Sequence, residues 1–212
     1  MYLPIQRIAA AVLICLTLMV PACATAERPV SASSLIRPGD HILGNPNGSI
    51  TIVDFYDTSC IPCRAMDRRI KRLILKDHEI RFVPIDMPIL GPQSVLGAQA
   101  LIAAALQHRF EAMETRLLHQ TRLPTIEVLR KDATGMRLNV PLFMRDLSRR
   151  STIAAVRHTL DRGAKLGIHF VPLIYINRIR LPGAVSYRNL SWLVTHPNEN
   201  FLVEAASSPP NL

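Results

Sequence analysis

Two cysteines three positions apart, in Phe55-Tyr56-Asp57-Thr58-Ser59-Cys60-Ile61-Pro62-Cys63-Arg64, are the residues of this chain best suited to chemistry. Neighbouring thiols can exchange with a disulfide: a thiolate attacks one sulfur, and the second thiol resolves the mixed disulfide that forms. The same pair could be half of a zinc site, or two inert thiols. A structural zinc ion takes four ligands, and the chain holds no second Cys-x-x-Cys pair to complete the set.

The elements on either side decide what the pair can do. Ile50 to Tyr56 is β-branched and aromatic, the composition of a buried strand. Pro62 suits the first turn of a helix, where its fixed φ is helical and its missing N–H is not needed, and Arg64 to Lys76 can continue that helix. A strand running into a helix at this point puts Cys60 at the helix N-terminus. There the free N–H groups and the positive end of the dipole favour a thiolate. Cys60 is therefore the expected exposed nucleophile and Cys63 the shielded, resolving thiol.

At these residues the chain resembles the thioredoxin superfamily, and within it the DsbA-like branch of secreted thiol-disulfide oxidoreductases. Leu43-Gly44-Asn45-Pro46, Met87-Pro88-Ile89-Leu90-Gly91-Pro92-Gln93-Ser94 and Gly167-Ile168-His169-Phe170-Val171-Pro172-Leu173-Ile174-Tyr175-Ile176-Asn177 share the resemblance, which runs from about His41 to Asn189. It implies an α/β fold with a thioredoxin-like core, a central mixed sheet flanked by helices, and a helical insertion. It also implies a cis proline at Pro172 exposing the backbone of Val171 to an extended substrate, although a trans proline opening a strand is equally compatible with the residues. Val171, Ile61 and Pro62 are the expected substrate contacts. Asp54, six residues before Cys60, stands where thioredoxin has a buried acid, and burial would raise its pKa and let it pass a proton to or from Cys63. Capping a turn or facing water is the plainer role for Asp54. Val171 and Leu173 depart from the threonines that often flank this proline in the family.

Arg7 followed by the thirteen apolar residues Ile8 to Val20 and the small residues Ala24-Thr25-Ala26 reads as a signal peptide, residues 1–26. The run is short of the ~20 residues of a spanning helix. The mature chain would begin at Glu27, leaving Cys60 and Cys63 as its only cysteines, in a periplasmic or secreted location; lipidation of Cys23 is the alternative. Residues 27–40 read as a flexible lead-in, 41–196 as the domain with its insertion at about 89–167, and 197–212 as a flexible tail. About a dozen residues precede the core, too few for the dimerisation module of some isomerases of the superfamily, so a monomer is expected.

The net charge of +9 falls to about +8 without Arg7, and the 21 arginines are scattered rather than clustered. With secretion, this argues against nucleic acid as a partner. Strands are expected at Glu79 to Asp86, with Pro84 as an early end, at Leu173 to Asn177, and around Ala184 and Val185 after a turn at Pro182-Gly183. Helices are expected over 92–108, 110–120, 125–133, 141–150, 152–167 and 187–195, with Ser151 as an N-cap. His169 reads as a solvated loop residue, and His78 and His108 lack metal-ligand spacing.

No cofactor is expected, since the two thiols carry the electrons. Partners would be unfolded or reduced secreted proteins and a membrane redox partner that resets the pair. Ile61-Pro62 lacks the histidine of strongly oxidising DsbA proteins and resembles the reductant thioredoxin, whereas Arg64, Arg68 and Arg69 favour a thiolate. Bringing a thiol from an ordinary pKa of ~8.5 to ~5 stabilises the reduced form by about 2.7 kcal/mol at pH 7, roughly 60 mV. A few local charges therefore decide between oxidant and the alternatives of isomerase or reductase. A Cu(I) carrier using both thiolates is a reading from another class.

Overall fold

The computed structural model describes residues 30–196. The signal segment, Cys15, Cys23 and the tail 197–212 lie outside the described residues. In chain order the elements are α1 (Ala32–Leu35), β1 (Leu43–Gly44), β2 (Ile50–Tyr56), α2 (Ile61–Ile74), β3 (Ile80–Asp86), α3 (Pro92–Ala105), α4 (Phe110–His119), α5 (Ile126–Gly135), α6 (Val140–Leu147), α7 (Arg150–Lys165), β4 (Leu173–Ile176), β5 (Ile179–Pro182) and α8 (Tyr187–Thr195).

The five strands form one mixed sheet in the order β1-β3-β2-β4-β5, with β2 and β3 parallel and the other pairs antiparallel. β2 is central and covered on both faces, so its apolar run is nearly continuous. Its alternation still sorts side chains: Val53 and Phe55 pack with α1, β3 and β4 residues on one face, while Ile52 meets Met66 and Ile70, and Tyr56 meets Cys60 and Cys63, on the other. The helices α3 to α7 form the insertion, and α3 presses Gly97 so close to the loop before Cys60 that a Cβ there would clash with Thr58 Oγ1. A glycine is what lets the insertion seat against that loop.

Several expectations are corrected. Pro84 does not end β3. Met87 N–H donates to the carbonyl of Tyr56, so by the period of two the N–H of Val83 and Ile85 also face β2 while the nitrogen of Pro84 faces the β1 side. β1 spans only two residues there, pairing with Arg81 and Phe82, and no ladder bond is lost. The hairpin turns at Asn177-Arg178, with Asn177 at φ +49°, rather than at Pro182-Gly183, so the last strand is β5 and not the stretch around Val185. Ser151 is inside α7, whose N-cap is Arg149. The lead-in expected to be flexible holds α1: Ala32 and Leu35 are buried, Ala32 N–H donates to Asn177 O at 2.6 Å, and Arg162 of α7 pairs with Asp40 at 2.8 Å and donates to the Leu35 carbonyl.

Candidate active site

α2 begins where the sequence places it, with Cys60 as N-cap and Pro62 in the first turn. Cys60 and Cys63 form a disulfide. The backbone N–H of Cys63 donates to Cys60 Sγ at 3.1 Å, an orphan donor of the helix N-terminus turned onto the sulfur. The first turn of α2 has no acidic residue. On the far side of the sulfur, the carbonyl oxygen of Val171 lies 3.8 Å away, in the loop whose Val171-Pro172 peptide is cis.

The expectation of an exposed Cys60 is corrected: it is 3% exposed and Cys63 0%. Both sulfurs are tied together, and the cluster of Tyr56, Ala100, Leu101 and the partly buried Val171 packs around them. Exposure belongs to the neighbours instead. Ile61 is 76% exposed, Pro62 is open, and Phe170 beside the cis proline is 42% exposed.

The approach to Cys60 is fixed by Asp57, which sequence reasoning passed over. One carboxylate oxygen accepts the Ser59 N–H at 2.8 Å, the other accepts the Leu90 N–H at 3.0 Å, and its carbonyl accepts the Cys60 N–H at 3.0 Å. This wholly buried acid joins the turn that carries Cys60 to the loop ahead of α3.

Asp54 lies where β2 passes under α2. It is 2% exposed, and its Oδ1 takes no hydrogen bond from the described residues. Ile52 and Tyr56, its neighbours on the same face, pack against Met66 and Cys63 respectively, so Asp54 faces the α2 turn that runs from Cys63 to Asp67. Burial pushes its carboxyl well above the usual range, and the charges of Asp67 and Glu114 push it the same way.

Those two carboxylates belong to a cluster that sequence reasoning missed. Lys71 donates to Asp67 Oδ1 at 2.8 Å, to Glu114 Oε2 at 3.0 Å and to Thr115 Oγ1 at 3.1 Å. His119, the last residue of α4, meets Asp67 Oδ2 at 2.9 Å through Nε2. Burial raises the pKa of Glu114 against the pull of Lys71. Lys71 is in turn raised, the two carboxylates outweighing the desolvation that works against its charge. The missed signal was an acid at an apolar position: Cys63, Met66, Asp67 and Ile70 are the buried stripe of α2 at helical spacing. His169 is an exposed loop residue.

The cysteine pair thus has unlike sides: a helix N–H turned onto Cys60 Sγ, and the buried carboxyl of Asp54 under the α2 turn that begins at Cys63. A family model described as Thioredoxin matches residues 37–195. The chain is 26% identical over 155 residues to the Na(+)/H(+) antiporter NhaA 3 of Salinispora tropica, a match covering 72% of this chain and 24% of the antiporter, so the chain spans about a quarter of that relative's length. It is 25% identical over 148 residues to the probable disulfide bond formation protein D of Bacillus anthracis, covering 64% of this chain and 68% of that one. The solved structure of a thioredoxin-like oxidoreductase from Silicibacter pomeroyi superposes with a TM-score of 0.71 at 26% identity, over 78% of this chain and 96% of that one.

Proposed function

This chain belongs to the thioredoxin family, and on that premise we propose that it is a DsbA-like thiol-disulfide oxidoreductase that oxidises dithiols of client proteins in an oxidising compartment outside the cytoplasm. The observation that carries this reading is the asymmetry of the pair. The helix N-terminus and the Cys63 N–H on its sulfur favour Cys60 as a thiolate, while the buried carboxyls favour Cys63 as a thiol.

A client thiolate attacks Cys60 Sγ and the Cys60–Cys63 bond breaks. Cys63 leaves with the electron pair and takes a proton from the neutral carboxyl of Asp54. The client's second thiolate attacks its own sulfur in the mixed disulfide, so the client is oxidised and Cys60 departs as a thiolate. An extended client segment would pair with the backbone of Val171 and rest its side chains on Ile61, Pro62 and Phe170. A membrane redox partner would remove the two electrons afterwards. Supporting the location are the amino-terminal signal pattern and, among the described residues, the lack of any helix long and apolar enough to cross a membrane.

Paired urea titrations of the two redox forms test the direction of electron flow. A thiolate stabilised only in the folded chain favours the reduced fold over the oxidised one, so at pH 7 the reduced protein will unfold at the higher urea concentration. The sign follows from a folded pKa below the unfolded one: the stabilisation is full above the unfolded thiol value and disappears as pH falls through the folded one. Acidification will therefore erase the difference. A more stable disulfide form at pH 7 would move the assignment to reductase or isomerase.

A further inference from the structure

We infer that the cleft between α2 and α8, lined by Arg68, Arg69, Arg72 and Tyr187, binds acidic side chains of the client and so selects segments with Asp or Glu about four residues from the cysteine they present. The inference rests on the reading of this chain as an oxidant of client dithiols, and it names the class of segment which that reading leaves open. The arginines are scattered along the sequence, but the acids are not: between Arg162 and His196 there is no Asp or Glu. α2 has one acid, Asp67, which is buried and held by Lys71 and His119. The face formed by α2, α8 and the β4–β5 hairpin therefore presents no exposed acid.

The cleft has a volume of about 260 Å³, and its arginines are already held in place. Arg69 Nη1 donates to the Val185 carbonyl at 2.7 Å, the Arg72 guanidinium lies 4.3 Å from the centre of the Tyr187 ring, and Arg68 Nη1 is 3.2 Å from His119 Nδ1. Lys76 adds a fourth charge, 5.8 Å from the centre of the same ring. None of these four cations is in an ion pair with a carboxylate of the described residues. A guanidinium has five N–H donors, so one bond to a carbonyl leaves the others able to take a carboxylate. A side chain fixed beforehand also loses less freedom when its ligand arrives. These are features of a recognition site that a merely solvated row of charges does not need.

The cleft is continuous with the loop on which a client would dock. Gly183 N–H donates to the Pro172 carbonyl at 2.9 Å. Two residues on, Val185 donates its N–H to Met66 Sδ at 3.4 Å and gives its carbonyl to Arg69. The segment 183–185 thus joins the cis-proline loop to the wall of the cleft. Along α2 the rise from Cys60 to Arg69 is about 13 Å, which an extended chain covers in about four residues. A client cysteine at Cys60 therefore brings a side chain about four residues away within reach of the arginines. An anionic membrane surface, the other partner of a cationic face, is flat and would be met as well by Arg178, Arg180 and Arg188, which are exposed and do not line the cleft. The concavity and its distance from the sulfurs favour a peptide.

Oxidation of reduced dithiol peptides by the oxidised protein, quenched in acid and read by mass spectrometry, tests this. Three peptides share one dithiol: the first carries Asp-Asp about four residues before its cysteines, the second about four residues after them, and the third Ser-Ser in both places. At low salt the faster acidic peptide will exceed the serine peptide in second-order rate constant by about fivefold, the size of a few exposed ion pairs. About 0.5 M sodium chloride will bring that ratio close to one. The double variant Arg68→Gln, Arg72→Gln will do the same at low salt, and each single change will go part of the way. Taking the ratio within one protein cancels any change in the reactivity of the sulfurs, and the urea midpoint shows that the variant is folded. Arg178→Gln with Arg188→Gln removes as much charge outside the cleft and will keep the ratio. Equal rates for all three peptides with the parent, or a ratio that survives in the double variant, overturns the cleft while the proposed oxidation stands. Sedimentation of the parent with phosphatidylglycerol vesicles, together with equal peptide rates, would assign the face to a membrane and overturn it too. If the parent oxidises none of the peptides, the proposed function fails and takes this inference with it.

Discussion

Cys60→Ser will bring disulfide exchange down to the uncatalysed background, a loss of about a thousandfold or more, whereas Cys63→Ser will form its first mixed disulfide with a client and stop there. The difference follows from where each sulfur sits. Cys60 is the N-cap, takes the Cys63 N–H at 3.1 Å and lies beside the loop of Val171, where a client strand would dock. Cys63 is one turn in and wholly buried. With Cys63 gone, an oxidised client attacked by Cys60 has no second thiol to displace it, so the covalent intermediate accumulates. Non-reducing electrophoresis and peptide mapping of the trapped species check this. Adducts mapped to position 63 in Cys60→Ser, in place of adducts at Cys60 in Cys63→Ser, would reverse the assignment of roles.

Asp54→Leu will make the protein more stable at pH 7 and a poorer catalyst. The folded carboxyl has its pKa raised by burial first and by Asp67 and Glu114 second, while in the unfolded chain it titrates near the ordinary carboxylate value. Above that ordinary value the unfolded state holds fewer protons than the folded one, so stability falls as pH rises toward the folded pKa, and at neutral pH the acid is a burden on the fold. Replacing it with an apolar side chain of similar size relieves about 1–3 kcal/mol, the usual cost of a buried polar group without partners. Near pH 3, where both states are protonated, the part of the gain that comes from proton uptake on folding will vanish, and only the cost of the unpartnered neutral carboxyl will remain. Urea titrations at the two pH values measure it, and a variant less stable than the parent at pH 7 would mean that Asp54 is held by partners. In the same variant Cys63 loses its proton source and exchange slows, so stability and turnover move in opposite directions.

Local composition made much of this fold legible before any coordinates. The run Ile50 to Tyr56 forms the expected strand, its β-branched residues buried on both faces, and the helix expected over 187–195 is α8. What local reading could not reach was decided by neighbours. Pro84 survives inside β3 because β1 is too short to need its missing donor, which no sequence window displays. Cys60 is covered by a loop 111 residues further along. The carboxyl cluster joins Asp67 and Lys71 to Glu114 and His119, 43 to 52 residues away, and only the packing of α4 on α2 brings those side chains together. Asp54 lies on the strand that composition marks, six residues before Cys60, but the acids that bear on it, Asp67 and Glu114, sit on α2 and α4, which no local window joins.

The prolines in the sheet have a meaning beyond architecture. On the proposed function the protein would meet unfolded chains, whose segments pair with any free row of backbone groups, and an open flank on its own sheet would recruit them as unwanted extra strands. Beside Pro84 the flank of β3 offers no donor, and the outer strand β5 is four residues long, carries Arg180 and ends in Pro182. Both are poor templates for aggregation. The sheet is thus blunted where sticking would be harmful, and on the proposed function a client's backbone would be left with the Val171 loop, next to the sulfurs, as the place to hold on.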